Sequence, residues 1–205
     1  MDWIGFALAV LLIELTPGPN MAWLATLAMV EGRRAGLIAT AGVALGLTLN
    51  GILAAFGLAA LVASDPRLWS ALRWSGAAFM LWLSWQAWRD SKETSPTMLG
   101  QSTATTRHFW SGLTVNLLNP KAFIFYVIIA PQFLTQHMAS LSQALTLTAI
   151  SVCIATLVHL TLVIGAARFH AWVSDTSRTR WVRRVMAIAL LGVAIWFLSS
   201  SAIQI

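Results

Sequence analysis

The chain has 205 residues, of which 58% are hydrophobic and only 10% charged, with a formal net charge of +6. An ordinary soluble domain carries about 25% charged residues, so this chain has too few charges to coat a soluble protein of its size. The excess of basic residues flanks apolar stretches and has no nucleic-acid-binding fold to sit on, so membrane topology accounts for it.

Apolar stretches predict six membrane spans, at about 3–30, 36–62, 69–88, 109–130, 141–167 and 184–202, each near the ~20 residues that cross a bilayer. The first opens with Asp2 rather than a basic cluster, and no small-residue cleavage pattern follows. It is therefore expected to be a retained helix. Glu14 is the only charge between Trp3 and Val30.

This first span is interrupted by Thr16-Pro17-Gly18-Pro19-Asn20. Both prolines lack an amide hydrogen and clash with the preceding turn, which frees carbonyls near Ile13 to Leu15. Gly18 lets the backbone bend or admits a ligand close by. Freed carbonyls accept from an ammonium group, and a helix restarting after the break offers amides to a carboxylate. Asn20 is placed to donate and accept just beyond the break, and Thr16 brings a hydroxyl.

In the second span Gly42 and Gly46 form a small-xxx-small face suited to close helix packing within the chain or to a homodimer, with Gly36, Gly51 and Gly57 as further points of approach. After the third span the polar segment 91–106, which contains Pro96, reads as a mobile linker between halves 1–90 and 107–205 of a single transmembrane domain, 1–205.

The fourth span carries the second break, Asn116-Leu117-Leu118-Asn119-Pro120-Lys121. Asn116 and Asn119 lie three apart on one helical face, and two buried amides beside a proline call for a polar cavity. Lys121 falls roughly twelve residues into the span, where it is placed to bind a substrate carboxylate or to answer Glu14. Tyr126, about a turn beyond, is a candidate lining residue of the same cavity. Glu14 is also the one carboxylate at depth that can lose and regain a coupling proton.

In the fifth span Cys153 is expected to pack, and as the sole cysteine it excludes an internal disulfide and a cysteine-based metal cluster. His159 either bonds within the bundle or relays protons, with the bundle role favoured. His108, His137 and His170 sit near span ends and are not spaced as a metal site. Neither metal nor cofactor is called for.

Ten of the thirteen Lys and Arg residues fall in alternate links, around Arg33, Arg89 and Arg178, which the positive-inside rule puts in the cytoplasm. Both termini are then extracytoplasmic. Three spans per half force the halves into opposite orientations, and the breaks fall at matching depths. The pattern predicts an all-α integral membrane protein with a 3+3 inverted repeat and proline-broken helices 1 and 4.

Taken together, Thr16-Pro17-Gly18-Pro19-Asn20, the Gly32-Arg33-Arg34-Ala35-Gly36 link, Gly42 and Gly46, and Asn116 to Ala122 leading to Pro131-Gln132-Phe133 resemble the LysE/RhtB family of bacterial amino-acid exporters over essentially the whole chain. The resemblance implies a multi-pass inner-membrane protein, with residues 16–20 and 116–121 as its transport core. Many relatives carry Asp at the position of Asn20, so the acidic contact proposed for them is missing here.

The function these features favour is secondary export, by antiport, of a small neutral amino acid or analogue in exchange for protons. There is no nucleotide-binding GxxxxGK[ST], no HExxH and no serine-nucleophile motif, which disfavours an enzyme. The alternatives are export of another small solute, such as a metabolite or a cation, or a non-transport membrane component. A cation would want several converging carboxylates, and only Glu14 lies at depth.

Overall fold

The computed structural model describes residues 2–16, 18–57, 65–92, 101–119, 121–122, 125–133, 141–173 and 175–199; some side chains within these ranges, including those of Trp69, Arg73 and Trp196, are not described. Pro17 and Pro120, central to both expected breaks, lie outside the described residues, as do Pro96 and His137. The helices are α1 (Trp3–Leu15), α2 (Pro19–Glu31), α3 (Arg33–Ala55), α4 (Pro66–Asp90), α5 (Gln101–Leu117), α6 (Leu141–Ala167), α7 (His170–Val173) and α8 (Thr176–Ser199). A π-helical turn, Phe125–Ile129, runs into a 3-10 turn, Ala130–Phe133, between α5 and α6.

Helix ends follow local capping chemistry. Asp2 Oδ1 accepts from the Gly5 amide at 2.8 Å and starts α1. Asp65 Oδ1 accepts from the amides of Arg67 and Leu68 at 2.7 and 3.2 Å, with Pro66 at the first helical position, so α4 begins three residues before the expected span. Asp175 caps α8 through the Ser177 amide and hydroxyl, at 2.7 and 2.9 Å; these bonds, the amide's foremost, hold its carboxyl below the usual carboxylate range. The last helix accordingly starts at Thr176, eight residues before the position expected from hydropathy alone. Within the segment expected to link the halves, residues 101–106 form the first turns of α5.

By length and apolarity α3 and α6 can each cross a membrane, and α1 with α2 makes a third span if the pair, bent by 58°, is taken as one. Polarity runs inside out. Ile4, Leu8, Leu12, Leu157 and Ile188 are exposed on the outer faces, while Asn20, Asn116, Asn119, Ser151 and His159 are buried. A soluble protein would place these the other way round. Several buried or half-buried Ser and Thr hydroxyls donate to the carbonyl four residues back, as Thr40 does to Gly36 at 2.9 Å and Ser151 to Leu147 at 2.8 Å.

Helix α3 is the hub, packed on α2, α5 and α6; α6 in turn covers α1 and α2, and α4 lies along α8. The glycines of α3 make its contacts possible. A Cβ on Gly42 would overlap the Phe109 carbonyl of α5, one on Gly112 would overlap the Ala39 carbonyl of α3, and one on Gly46 would come within 3.0 Å of the Asn116 side chain. The small-residue face is therefore taken up inside the chain rather than left for a dimer. Cys153, expected to pack, is exposed, on a groove between α3 and α6 that Thr48, Ile52 and Leu157 also line.

Candidate functional site where the two helix breaks meet

The first break forms because α1 cannot continue past Leu15. Thr16 is extended (φ −71°, ψ 120°), its amide still reaching the Ile13 carbonyl at 3.1 Å and its hydroxyl the Leu12 carbonyl at 3.0 Å. Two of the carbonyls left over by the break are thus satisfied locally, and the Thr16 hydroxyl, expected at the site, donates to its own helix. The Thr16 carbonyl has a different partner. Pro19 takes the first position of α2, where a missing amide hydrogen costs nothing.

Gly18 has extended backbone (φ −148°, ψ 174°) that any residue adopts, so conformational freedom is not its contribution. Its contribution is room. A Cβ there would stand 3.4 Å from Cδ and 3.7 Å from Nζ of Lys121.

The second break follows Leu117. The Asn119 amide bonds the Asn116 carbonyl at 3.0 Å, and Asn119 Oδ1 accepts from the Lys121 amide at 3.0 Å, capping a short turn at Lys121–Ala122. That cap aims Lys121 across the bundle, and its Nζ donates to the Thr16 carbonyl at 2.7 Å. Beside it Asn20 Nδ2 donates to Asn116 Oδ1 at 2.8 Å, between two buried side chains. Residues about a hundred positions apart thus tie one break to the other.

Glu14, Gly18, Asn20, Asn116, Asn119, Lys121 and His159 line the hollow between them, closed on its apolar side by Met21, Leu47 and Ala122. Its volume, about 20 Å³, is room for roughly one water molecule. Three buried polar atoms of the lining have no hydrogen-bond partner among the described residues: Asn20 Oδ1, an acceptor, Asn116 Nδ2, a donor, and His159 Nδ1. Buried polar groups are normally satisfied, so this wall is built to meet something polar.

Glu14 faces His159, with Oε2 3.6 Å from Nε2, and its charge also acts on that of Lys121. In this structure the Lys121 ammonium takes the backbone carbonyl of the other break. His159, expected to bond within the bundle, meets Glu14; nothing in a lone histidine eighteen residues after Leu141 marks its partner on α1, because that pairing exists only once α6 lies across α1. Tyr126 does not line the hollow. It packs with Phe6, Val10 and Phe125 in a separate apolar cluster, its ring edge-on to Phe125 at 5.2 Å. Pro19 lies at the helix start beside the hollow, outside its lining.

Apolar outer faces, spanning-length helices and two helix interruptions closing on a polar interior define a membrane carrier architecture, in which irregular backbone at depth faces protein or a cavity rather than lipid. Residues 11–201 match the LysE type translocator family, and the chain belongs to it. Among its relatives, a homoserine/homoserine lactone efflux protein of Salmonella typhimurium is 29% identical over 178 residues, 87% of this chain and 86% of that protein. A leucine efflux protein of Klebsiella pneumoniae is 31% identical over 169 residues, 75% of each. An uncharacterized membrane protein of Vibrio cholerae is 30% identical over 132 residues, 64% of each. No solved structure matches. Membership of a translocator family makes this a transport protein of the bacterial membrane and not an enzyme.

Proposed function

We propose that the protein is a secondary transporter that exports a small neutral amino acid or close analogue from the cytoplasm, with proton uptake in exchange. The observation that carries the reading is the junction of the two breaks, where Lys121 holds the Thr16 carbonyl and Asn20 holds Asn116. A zwitterion needs an acceptor for its ammonium group and donors for its carboxylate. The Thr16 carbonyl, Asn20 Oδ1 and Glu14 supply the first, while Lys121 Nζ, Asn116 Nδ2 and the start of α2 supply the second. The efflux proteins among the relatives, named for homoserine, its lactone and leucine, support a small and largely uncharged cargo.

At about 20 Å³ the hollow admits no amino acid, so a cargo enters only when the Lys121 and Asn20 bonds across the breaks part. Substrate replaces those bonds with its own, which lets the two halves rock around it. A six-span arrangement of two inverted three-span halves, 1–90 and 107–205, fits this scheme. Its support is reciprocal packing: α3 lies on α5 as α6 lies on α1 and α2, while α3 with α6 and α4 with α8 pair across the halves. Glu14, within reach of His159, carries the coupling proton. The basic ends face the cytoplasm and both termini the outside, in the bacterial inner membrane.

Counterflow in proteoliposomes tests the reading. Vesicles preloaded with a neutral amino acid such as homoserine or leucine are expected to accumulate the labelled form transiently, and silence across a panel of amino acids, with movement of some other solute, overturns it.

A further inference from the structure

A second hollow, about 80 Å³, lies at the basic end of the bundle, walled by α2, α4, α5 and α8. It is stacked on the first along shared helices. On α2 the central lining ends at Met21 and the outer lining starts at Trp23; on α5 Ser111 lies five residues, or about 7.5 Å of helix rise, from Asn116. Trp23, itself buried, stands between the two.

Charges of both signs line this outer hollow on opposite walls. On one, Glu31 Oε2 at the end of α2 meets His108 Nε2 at 2.8 Å and Arg107 Nη2 at 3.4 Å. On the other, Arg183 of α8 donates to the Asp90 carbonyl at 3.0 Å, with the Asp90 carboxylate 3.8 Å away. Gln86 and Ser111 add neutral polar groups, and Trp23 and Trp82 apolar walls. His108 is buried and fixes Glu31 from one side, whereas the Arg107 contact is long and half-exposed. An exposed pair of this kind is weak because water screens it, so a ligand bearing both charges exchanges for it at little cost.

We propose that this hollow is a second binding site, at the cytoplasmic entrance, for a zwitterionic amino acid, with Glu31 taking the ammonium group and Arg107 the carboxylate before the cargo moves past Trp23 to the central hollow. This rests on the amino-acid reading above and extends it to a site that neither helix break contributes to. A plain carboxylic acid or a plain amine answers only one member of the Glu31–Arg107 pair and leaves the other without a partner, so the site selects for molecules that carry both groups.

The single native cysteine makes the test clean. In a Cys153→Ser background, Ser111→Cys is labelled with a membrane-impermeant thiol reagent applied to the basic face of inside-out vesicles. A transported neutral amino acid is expected to slow labelling about tenfold at ten times its Kd, because an occupied site excludes the reagent. The corresponding amine without its carboxylate and acid without its amine, at equal concentration, leave the rate unchanged. Protection persists with Lys121→Met, which disables only the central site, and is lost with Glu31→Gln or Arg107→Gln. Gln86→Leu, which leaves both charge pairs intact and narrows the hollow, weakens it as a check against misfolding. Counterflow without protection, protection that vanishes with Lys121→Met, or full protection surviving both Glu31→Gln and Arg107→Gln overturns the proposal while the transport reading stands. Absence of counterflow together with absence of protection removes both.

Discussion

Lys121 is a cation deep in an apolar bundle, and a central lysine costs about 3 kcal/mol even on membrane-insertion scales. Its bond to the Thr16 carbonyl, the room left by the absent Cβ at residue 18 and the nearby charge of Glu14 make that position tenable. Lys121→Met keeps the stem and removes the charge, so counterflow should fall to background while the protein still runs as a folded species on gel filtration. The amide pair behaves differently. Asn20→Ala leaves Asn116 Oδ1 buried without its donor, which should cost about 1–3 kcal/mol, and Asn20→Ala with Asn116→Ala together should cost less than the sum of the single changes. Denaturation midpoints of the three variants in one detergent measure this; strict additivity would show that the pair is not coupled. Glu14→Gln removes a titrating group beside His159 and should leave downhill counterflow in place while abolishing its acceleration by a proton gradient. Gradient-driven export that is unchanged in that variant would remove Glu14 from the coupling step.

Among the helices, the crossing of α3 with α5 sets the position of the second break, because Asn116 reaches Asn20 only if α5 can approach at Gly42 and Gly46. Gly42→Ala and Gly112→Ala each push a methyl group into backbone of the other helix, and overpacking of this kind costs about 1–3 kcal/mol. Gly165→Ala and Gly192→Ala are the matched controls, since a Cβ at either meets nothing within 4 Å. Thermal unfolding in detergent should separate the two pairs clearly, and equal effects would contradict the packing described. The link between α2 and α3 depends on Gly32 for another reason. Its φ of 89° is open to glycine and strained for any other residue, and the His170 ring, bonded to the Met29 carbonyl at 2.9 Å, lies against it.

For the whole molecule, the proposed orientation rests on the charge distribution. The basic links gather at one end, where Glu31 meets Arg107, Asp90 meets Arg183 and His170 reaches the last turn of α2. Arg89, Arg178 and Arg184 lie over the rings of Trp85, Trp172 and Trp88 at 5.0, 4.7 and 5.6 Å, an arrangement suited to the headgroup level of a membrane. With this end cytoplasmic, Lys92→Cys in the Cys153→Ser background should resist an impermeant thiol reagent on intact spheroplasts and react after lysis. Labelling of intact spheroplasts would invert the proposed topology.

Composition and hydropathy sufficed for the membrane environment and for the extent of α6, because lipid imposes one simple rule on long apolar runs. Proline and glycine at 16–20 and asparagine and proline at 116–121 sufficed for where the helices stop, since a missing amide hydrogen acts locally. The starts of α4 and α8 were also written locally, in Asp65-Pro66 and Asp175, but as polar caps that a hydropathy pattern passes over. Partners were another matter. That Lys121 takes the Thr16 carbonyl, that Glu14 faces His159, that Tyr126 turns into an apolar cluster and that Glu31 closes on His108 all follow from how helices cross. Those crossings are decided by which small residues allow two backbones to touch, a property of surfaces in contact that no single segment carries.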